Sequence, residues 1–361
     1  MNNVRKIREL GQSIWLDFFD RRMMDNGDLK KMIDTDGASG VTSNPAIFEK
    51  AVAGSSDYDE DIRKWAQKRE DSGDVFFGLA AEEIRRAAGF FKPRYDETGG
   101  RDGFVSLEVS PYLAYDTEGT IRQAEELWKS IDRENAMIKI PATKEGLPAI
   151  RHCLREGINI NITLLFGLPR YREVIEAFLG ALEDRVKNDQ PIDKIASVAS
   201  FFLSRIDVLT DPILEEKGEP RWKGEVAIAS AKEAYRIYKE IFSSDRWKAL
   251  EAKGAHPQRL LWASTGTKDP AYSDVKYVEA LIGPETVNTI PLATLEAFRD
   301  HGKPQARLEE NPNEARTVLE GIKKAGIDID QITEQLEKEG VEKFNNAYDK
   351  LIGAIEQQIS R

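Results

Sequence analysis

The sequence predicts a closed parallel α/β barrel, (β/α)8, and three observations carry that reading. Eight short apolar runs punctuate the 361 residues, with longer amphipathic stretches between most of them. Neither G-x-G-x-x-G nor G-x-x-x-x-G-K-S/T follows any of these runs, so the usual nucleotide signatures of an open doubly wound sheet are missing. Several runs also place polar residues on one face, where a barrel strand is normally apolar on both. Active sites of this fold form at the C-terminal ends of its strands.

The elements follow in order. The strands are expected at 14–19, 40–43, 104–110, 136–141, 158–166, 195–202, 259–265 and 286–291. Helical spacing occupies 28–33, 75–91, 120–131, 145–156, 169–186, 226–242 and 272–281. The first run sets Asp17 between Leu16 and Phe18, and Asn44 closes the second. In the third, Val105, Leu107 and Val109 alternate with Ser106, Glu108 and Ser110. The fourth puts Lys139 on a face with Met137, and the fifth sets Asn159, Asn161 and Thr163 against a row of isoleucines and Leu164. Ser200 lies late in the sixth run. One inward face would therefore gather Asp17, Glu108, Lys139, Asn161 and Thr163. Residues 205–258 hold a helix or two beyond a minimal barrel, and residues 95–102 read as an exposed loop. Residues 311–361 form two or three further helices, the last amphipathic over 341–359; barrel closure, a lid or a homo-oligomer contact would each use them. With no Pro/Ser-rich linker, residues 1–361 read as a single domain.

Composition removes several function classes. The balance of 52 Lys+Arg against 63 Asp+Glu gives a net charge of −11, which disfavours nucleic-acid and anionic-membrane surfaces. One Cys and three His rule out a disulfide framework and a Cys/His zinc site, so neither metal nor cofactor is expected. His152, His256 and His301 read as surface or structural residues, and Cys153 as a packed helix residue. The first 15 residues lack the apolar core of a signal peptide, and no apolar run approaches membrane-spanning length. A cytoplasmic protein is expected.

Lys139 is the pivotal residue. An ammonium among Met137, Ile138, Ile140 and Pro141 loses hydration, which favours the neutral amine that attacks a ketone to form a Schiff base. A lysine snorkelling from a strand end is the bland alternative. Asp17 and Glu108 fit proton transfer, but equally the role of charge partners to an interior lysine. A glycosidase pair would also use two carboxylates, with six tryptophans as sugar platforms, yet it leaves Lys139 no task.

At these residues the sequence resembles the bacterial transaldolases. The blocks SIWLDFFDRR, GVTSNPAIFEKAV, SLEVSPYLAYD, IKIPATKEGLPAI, INITLLFG, SVASFFLSRID and TIPLATLEAF occur in the family's order across residues 10–302. The resemblance implies a single (β/α)8 barrel and a metal-free lysine mechanism on phosphorylated sugars, with Lys139 as the Schiff-base residue. It assigns proton transfer to Asp17, Glu108 and Thr163 and hydroxyl contacts to Asn44 and Asn161. Ser200 and Arg205 would hold phosphate, and Phe202 would shape the pocket. The implied reaction moves dihydroxyacetone from sedoheptulose 7-phosphate to glyceraldehyde 3-phosphate. A ketose-phosphate aldolase and a non-catalytic phosphosugar-binding barrel are the alternatives. Related chains carry an arginine near the final strand, but 285–291 has no basic residue; Lys268 is a candidate substitute, a solvent lysine its plainer reading.

Overall fold

The computed structural model describes residues 2–53, 55–69 and 71–360. Its strands are β1 (Gln12–Leu16), β2 (Gly40–Thr42), β3 (Phe104–Glu108), β4 (Ala136–Pro141), β5 (Ile160–Leu165), β6 (Ser197–Phe202), β7 (Arg259–Ala263) and β8 (Thr286–Ile290). All pair in parallel in chain order, and β8 closes on β1. Helices alternate with the strands and cover the outer face, as a right-handed parallel crossover requires.

Register does the positioning. Glu108 of β3 lies opposite Lys139 of β4, which lies opposite Asn161 of β5. Three chemically active side chains thus form one lateral row on the inner face. Below that row the interior is filled: Trp15 packs at a tilt against Phe104, ring centroids 6.2 Å apart. Gly40 makes room for this, because a Cβ there would come within 2.7 Å of the Trp15 ring.

Several boundaries shift from expectation. β1 ends at Leu16, so Asp17 stands one residue beyond the strand, its N–H still bonding the carbonyl of Ile290 at 3.0 Å. β5 begins two residues late and carries a bulge between Ile162 and Leu165, with Leu164 at φ 53°. That break ends the simple alternation that put Leu164 with the isoleucines. The expected loop at 95–102 is shorter: Ser72–Glu97 continues through Pro93, the turn runs over 98–102, and Asp102 at its end is buried. Residues 205–258 hold three helices, Ser204–Glu216, Val226–Ile241 and Asp245–Glu251. The expected 272–281 helix shrinks to Lys276–Ala280.

The C-terminal helix Ile329–Ile359 starts well before the expected position 341, because Asp328 caps it by accepting the N–H groups of Asp330 and Gln331. It packs on the helix Pro45–Ala53 after β2, on β5 and on Ser204–Glu216 after β6. Gly340 allows the approach to β5: a Cβ there would come 2.8 Å from Leu164. No described helix is long and apolar enough to cross a membrane.

Candidate active site

A cavity of about 160 Å³ opens at the C-terminal ends of the strands. Asp17, Asn44, Lys139, Ser200, Phe202 and Arg205 line it, so six of the nine sequence-predicted site residues share one space. Glu108, Asn161 and Thr163 form the layer joined to it.

Lys139 is 4% exposed, and its Nζ stands 3.4 Å from Glu108 Oε2 and donates to the Ser43 carbonyl at 3.3 Å. Strand β4 delivers the lysine from apolar neighbours, so the two charges face each other out of water. Burial lifts the Glu108 pKa to about 7; the Lys139 ammonium opposes the rise and Asp17 adds to it. Glu108 therefore carries a proton in part of its population at neutral pH, the condition for a group that must give and take one. Its Oε2 has no hydrogen-bond donor among the described residues beyond that ion-pair approach. The Thr163 hydroxyl on β5 is likewise buried without a partner among them. The unsatisfied Glu108 oxygen beside the amine leaves room in the network for a reacting hydroxyl or water.

Asp17 hangs over the cavity from the end of β1. Thr42 Oγ1 donates to its carboxylate at 3.1 Å and meets Thr289 Oγ1 at 2.7 Å. Burial raises the Asp17 pKa, opposed chiefly by Lys139 and then by the Thr42 hydrogen bond, so its carboxylate is a stronger base than an exposed one. Asn161 is held from both sides: its Nδ2 donates to Ser106 Oγ at 3.1 Å, and Ser200 Oγ donates to its Oδ1 at 2.7 Å. Asn44 Oδ1 accepts the N–H of Ile47 at 3.0 Å, capping Pro45–Ala53 and orienting the amide at the cavity wall.

Arg205 enters from the first turn of Ser204–Glu216. Its guanidinium lies 5.8 Å from the Phe202 ring centroid, and Nη1 is buried without an acceptor among the described residues. Burial pulls its pKa below the usual arginine value, with Glu339 pulling the other way. A half-buried guanidinium with an unmet donor is costly until an anion meets it. Lys268, in the loop after β7, lines the same cavity although most of its side chain is exposed.

Sequence reasoning missed three contributors. Thr42 was within reach, since alternation from Gly40 points it inward. Ser264, at φ 56° where β7 ends, meets Ser204 Oγ with its own Oγ at 2.9 Å and ties the segments after β6 and β7 together. Phe344, from the C-terminal helix, lies with its ring centroid 6.0 Å from Lys139 Nζ. No local signal marks it, because it reaches the site only through the path of that helix.

Comparison with known proteins identifies the family. The family model described as transaldolase/fructose-6-phosphate aldolase matches residues 14–355. The chain is 48% identical over 373 aligned positions to a protein named transaldolase from Trichodesmium erythraeum (strain IMS101), covering 100% of this chain and 98% of that one. It is 45% identical to a transaldolase from Saccharopolyspora erythraea, over 100% of this chain and 98% of the relative. It is also 45% identical to transaldolase 2 from Nostoc punctiforme, with 99% and 98% covered. A buried lysine beside a carboxylate, inside a closed eight-stranded barrel, and full-length similarity of this order together place the chain in the transaldolase/fructose-6-phosphate aldolase family.

Proposed function

We propose that this chain is a transaldolase, transferring a dihydroxyacetone unit from sedoheptulose 7-phosphate to glyceraldehyde 3-phosphate through a Schiff base on Lys139. The products are erythrose 4-phosphate and fructose 6-phosphate, as in the non-oxidative pentose phosphate pathway. The observation that carries the reading is Lys139 buried at the cavity floor beside Glu108, whose pKa lies near 7.

The neutral amine of Lys139 attacks the C2 ketone to give a carbinolamine. Protonated Glu108, with Thr163 and a water between them, delivers a proton to the departing hydroxyl, and water leaves as the iminium forms. The Asp17 carboxylate takes the C4 hydroxyl proton, the C3–C4 bond breaks, and its electrons pass into the iminium to give an enamine. The aldose phosphate departs. Asn44 and Asn161 hold the hydroxyls of the three-carbon unit, and a second aldehyde accepts it by the reverse steps. Arg205 and Ser200 hold the phosphate, Lys268 adds a second cation, and Phe202 shapes the wall between them.

Borohydride reduction with fructose 6-phosphate tests this. An irreversible adduct on Lys139, absent from Lys139→Ala, is expected; repeated failure to trap one defeats the mechanism. The family also contains fructose-6-phosphate aldolases, which release free dihydroxyacetone. Assaying one ketose with and without acceptor aldehyde separates the two, and Phe344 over the lysine favours transfer by covering the intermediate. We further read residues 1–361 as one domain, because the C-terminal helix contributes to the barrel's own cavity. Charged phosphosugars do not cross membranes unaided, which suits a cytoplasmic enzyme.

A further inference from the structure

A second cavity, of about 190 Å³, lies at the opposite mouth of the barrel, among the starts of β1, β3, β6 and β7. This face of such a barrel ordinarily serves stability, and no step of the transfer reaction uses it. Yet on a chain of net charge −11, Arg94, Arg101 and Arg259 gather around it. Arg94 comes from the last turn of Ser72–Glu97. Arg101 follows in a turn where Gly99, Gly100 and Gly103 all have positive φ, which brings the chain tightly back to β3. Arg259 begins β7.

The carboxylates present satisfy these cations only in part. Asp102, the buried one, already accepts Ser13 Oγ at 2.7 Å, Trp15 Nε1 at 2.9 Å and the Gly103 N–H at 3.1 Å. Arg94 Nε and Arg259 Nη2 each stand 3.7 Å from it, beyond hydrogen-bond length. Arg94 Nη1 reaches the exposed Glu97 at 2.8 Å, but its Nε is buried with no acceptor among the described residues. Arg259 donates to Ser13 Oγ and to the Arg101 carbonyl, both at 2.8 Å, which fixes its guanidinium plane. Arg101 Nε reaches the Thr98 carbonyl at 3.2 Å. Glu285 lines the rim and is exposed. His256 completes the wall; burial, then the Arg101 charge, holds its pKa below the usual value, so it is neutral at pH 7.

We propose that this cavity binds a small phosphorylated anion, inorganic phosphate or a phosphate ester, between Arg94 and Arg101 with Arg259 fixed behind them. Guanidinium forks match phosphate oxygens through paired donors. The cavity admits a phosphate or a three-carbon phosphate and little more. It backs directly onto the catalytic layer: Met137 lines it and Lys139 lines the other cavity, two residues apart on one face of β4. Val198 and Ser200 of β6 repeat that relation.

Titration calorimetry with inorganic phosphate and with glycerol 1-phosphate tests the site. The Arg205→Gln chain, weakened at its catalytic phosphate contact, is expected to keep a phosphate-binding event. Adding Arg101→Glu or Arg94→Gln to it is expected to weaken that event at least tenfold, with circular dichroism unchanged. Arg101 is exposed in a turn, so its variant keeps the test alive if the Arg94 variant fails to fold. Equal binding of the two probes assigns free phosphate, and tighter binding of the ester assigns a phosphate monoester. No binding in Arg205→Gln, or binding indifferent to both further substitutions, overturns the proposal. An enzyme with no transferase activity would leave this readout intact, because it measures binding alone.

Discussion

Glu108 and Arg205 illustrate how one environment sets two different tasks. Glu108 is removed from water and Arg205 is half-buried; Glu108 is lifted to about pKa 7 while Arg205 keeps a charge with an unmet donor. Glu108 must hold its proton to expel water from the carbinolamine, and its acid form is lost as pH rises through about 7. Single-turnover imine formation should therefore bend near pH 7, where the Glu108 acid form gives way to carboxylate. In Glu108→Gln this bend should vanish and the rate should drop about 10²–10⁴-fold; stopped-flow measurement from pH 5.5 to 9 checks both. For Arg205→Gln, loss of charge-assisted hydrogen bonds worth about 1.5–3 kcal/mol predicts a KM for fructose 6-phosphate raised roughly 10–100-fold. Turnover of unphosphorylated donors should barely change. A uniform loss on both substrates would remove Arg205 from the phosphate role.

At the scale of elements, the C-terminal helix is the part whose purpose lies in another part of the chain. Its cap at Asp328, its close approach through Gly340 and its Phe344 ring all serve one placement across the strand ends. In the proposed mechanism the ring would shield the enamine from water that would protonate and release it. Phe344→Ala should raise the ratio of dihydroxyacetone released to dihydroxyacetone transferred severalfold. It should also cost about 3–5 kcal/mol of stability, as truncation of a buried phenylalanine does. Product analysis with saturating acceptor, alongside thermal melts, separates the two effects. An unchanged product ratio in a folded variant would mean the helix closes the barrel and no more.

The whole molecule sets a field against its own substrates. A net charge of −11 repels phosphosugars, while Arg205 and Lys268 offer a small basic pocket inside that field. Added salt shortens the Debye length from about 30 Å at 0.01 M to about 8 Å at 0.15 M. The distant repulsion should be screened more than the partly buried contacts, so kcat/KM should rise between those ionic strengths before falling at higher salt. A monotonic fall from the lowest salt would show that local attraction governs the encounter from the start.

Periodicity along the chain determined the class of fold, because a barrel strand shows its two faces in steps of two residues and its helices in steps near four. The alternation of Ser106, Glu108 and Ser110 with valine and leucine, and the lone Lys139 in an apolar run, were legible for the same reason. Strand ends were less so: Asp17 lies past β1 and Leu164 sits in a bulge, since hydrogen bonding and register, rather than composition, decide where pairing stops. The common inward face of Glu108, Lys139 and Asn161 was legible, but their alignment in one lateral row was decided by the pairing register of three neighbouring strands, which periodicity does not encode. The roof of Phe344 and the arginine-lined lower cavity were invisible beforehand for the same physical cause. Each joins segments separated by more than a hundred residues, and no local pattern encodes a contact that packing alone creates.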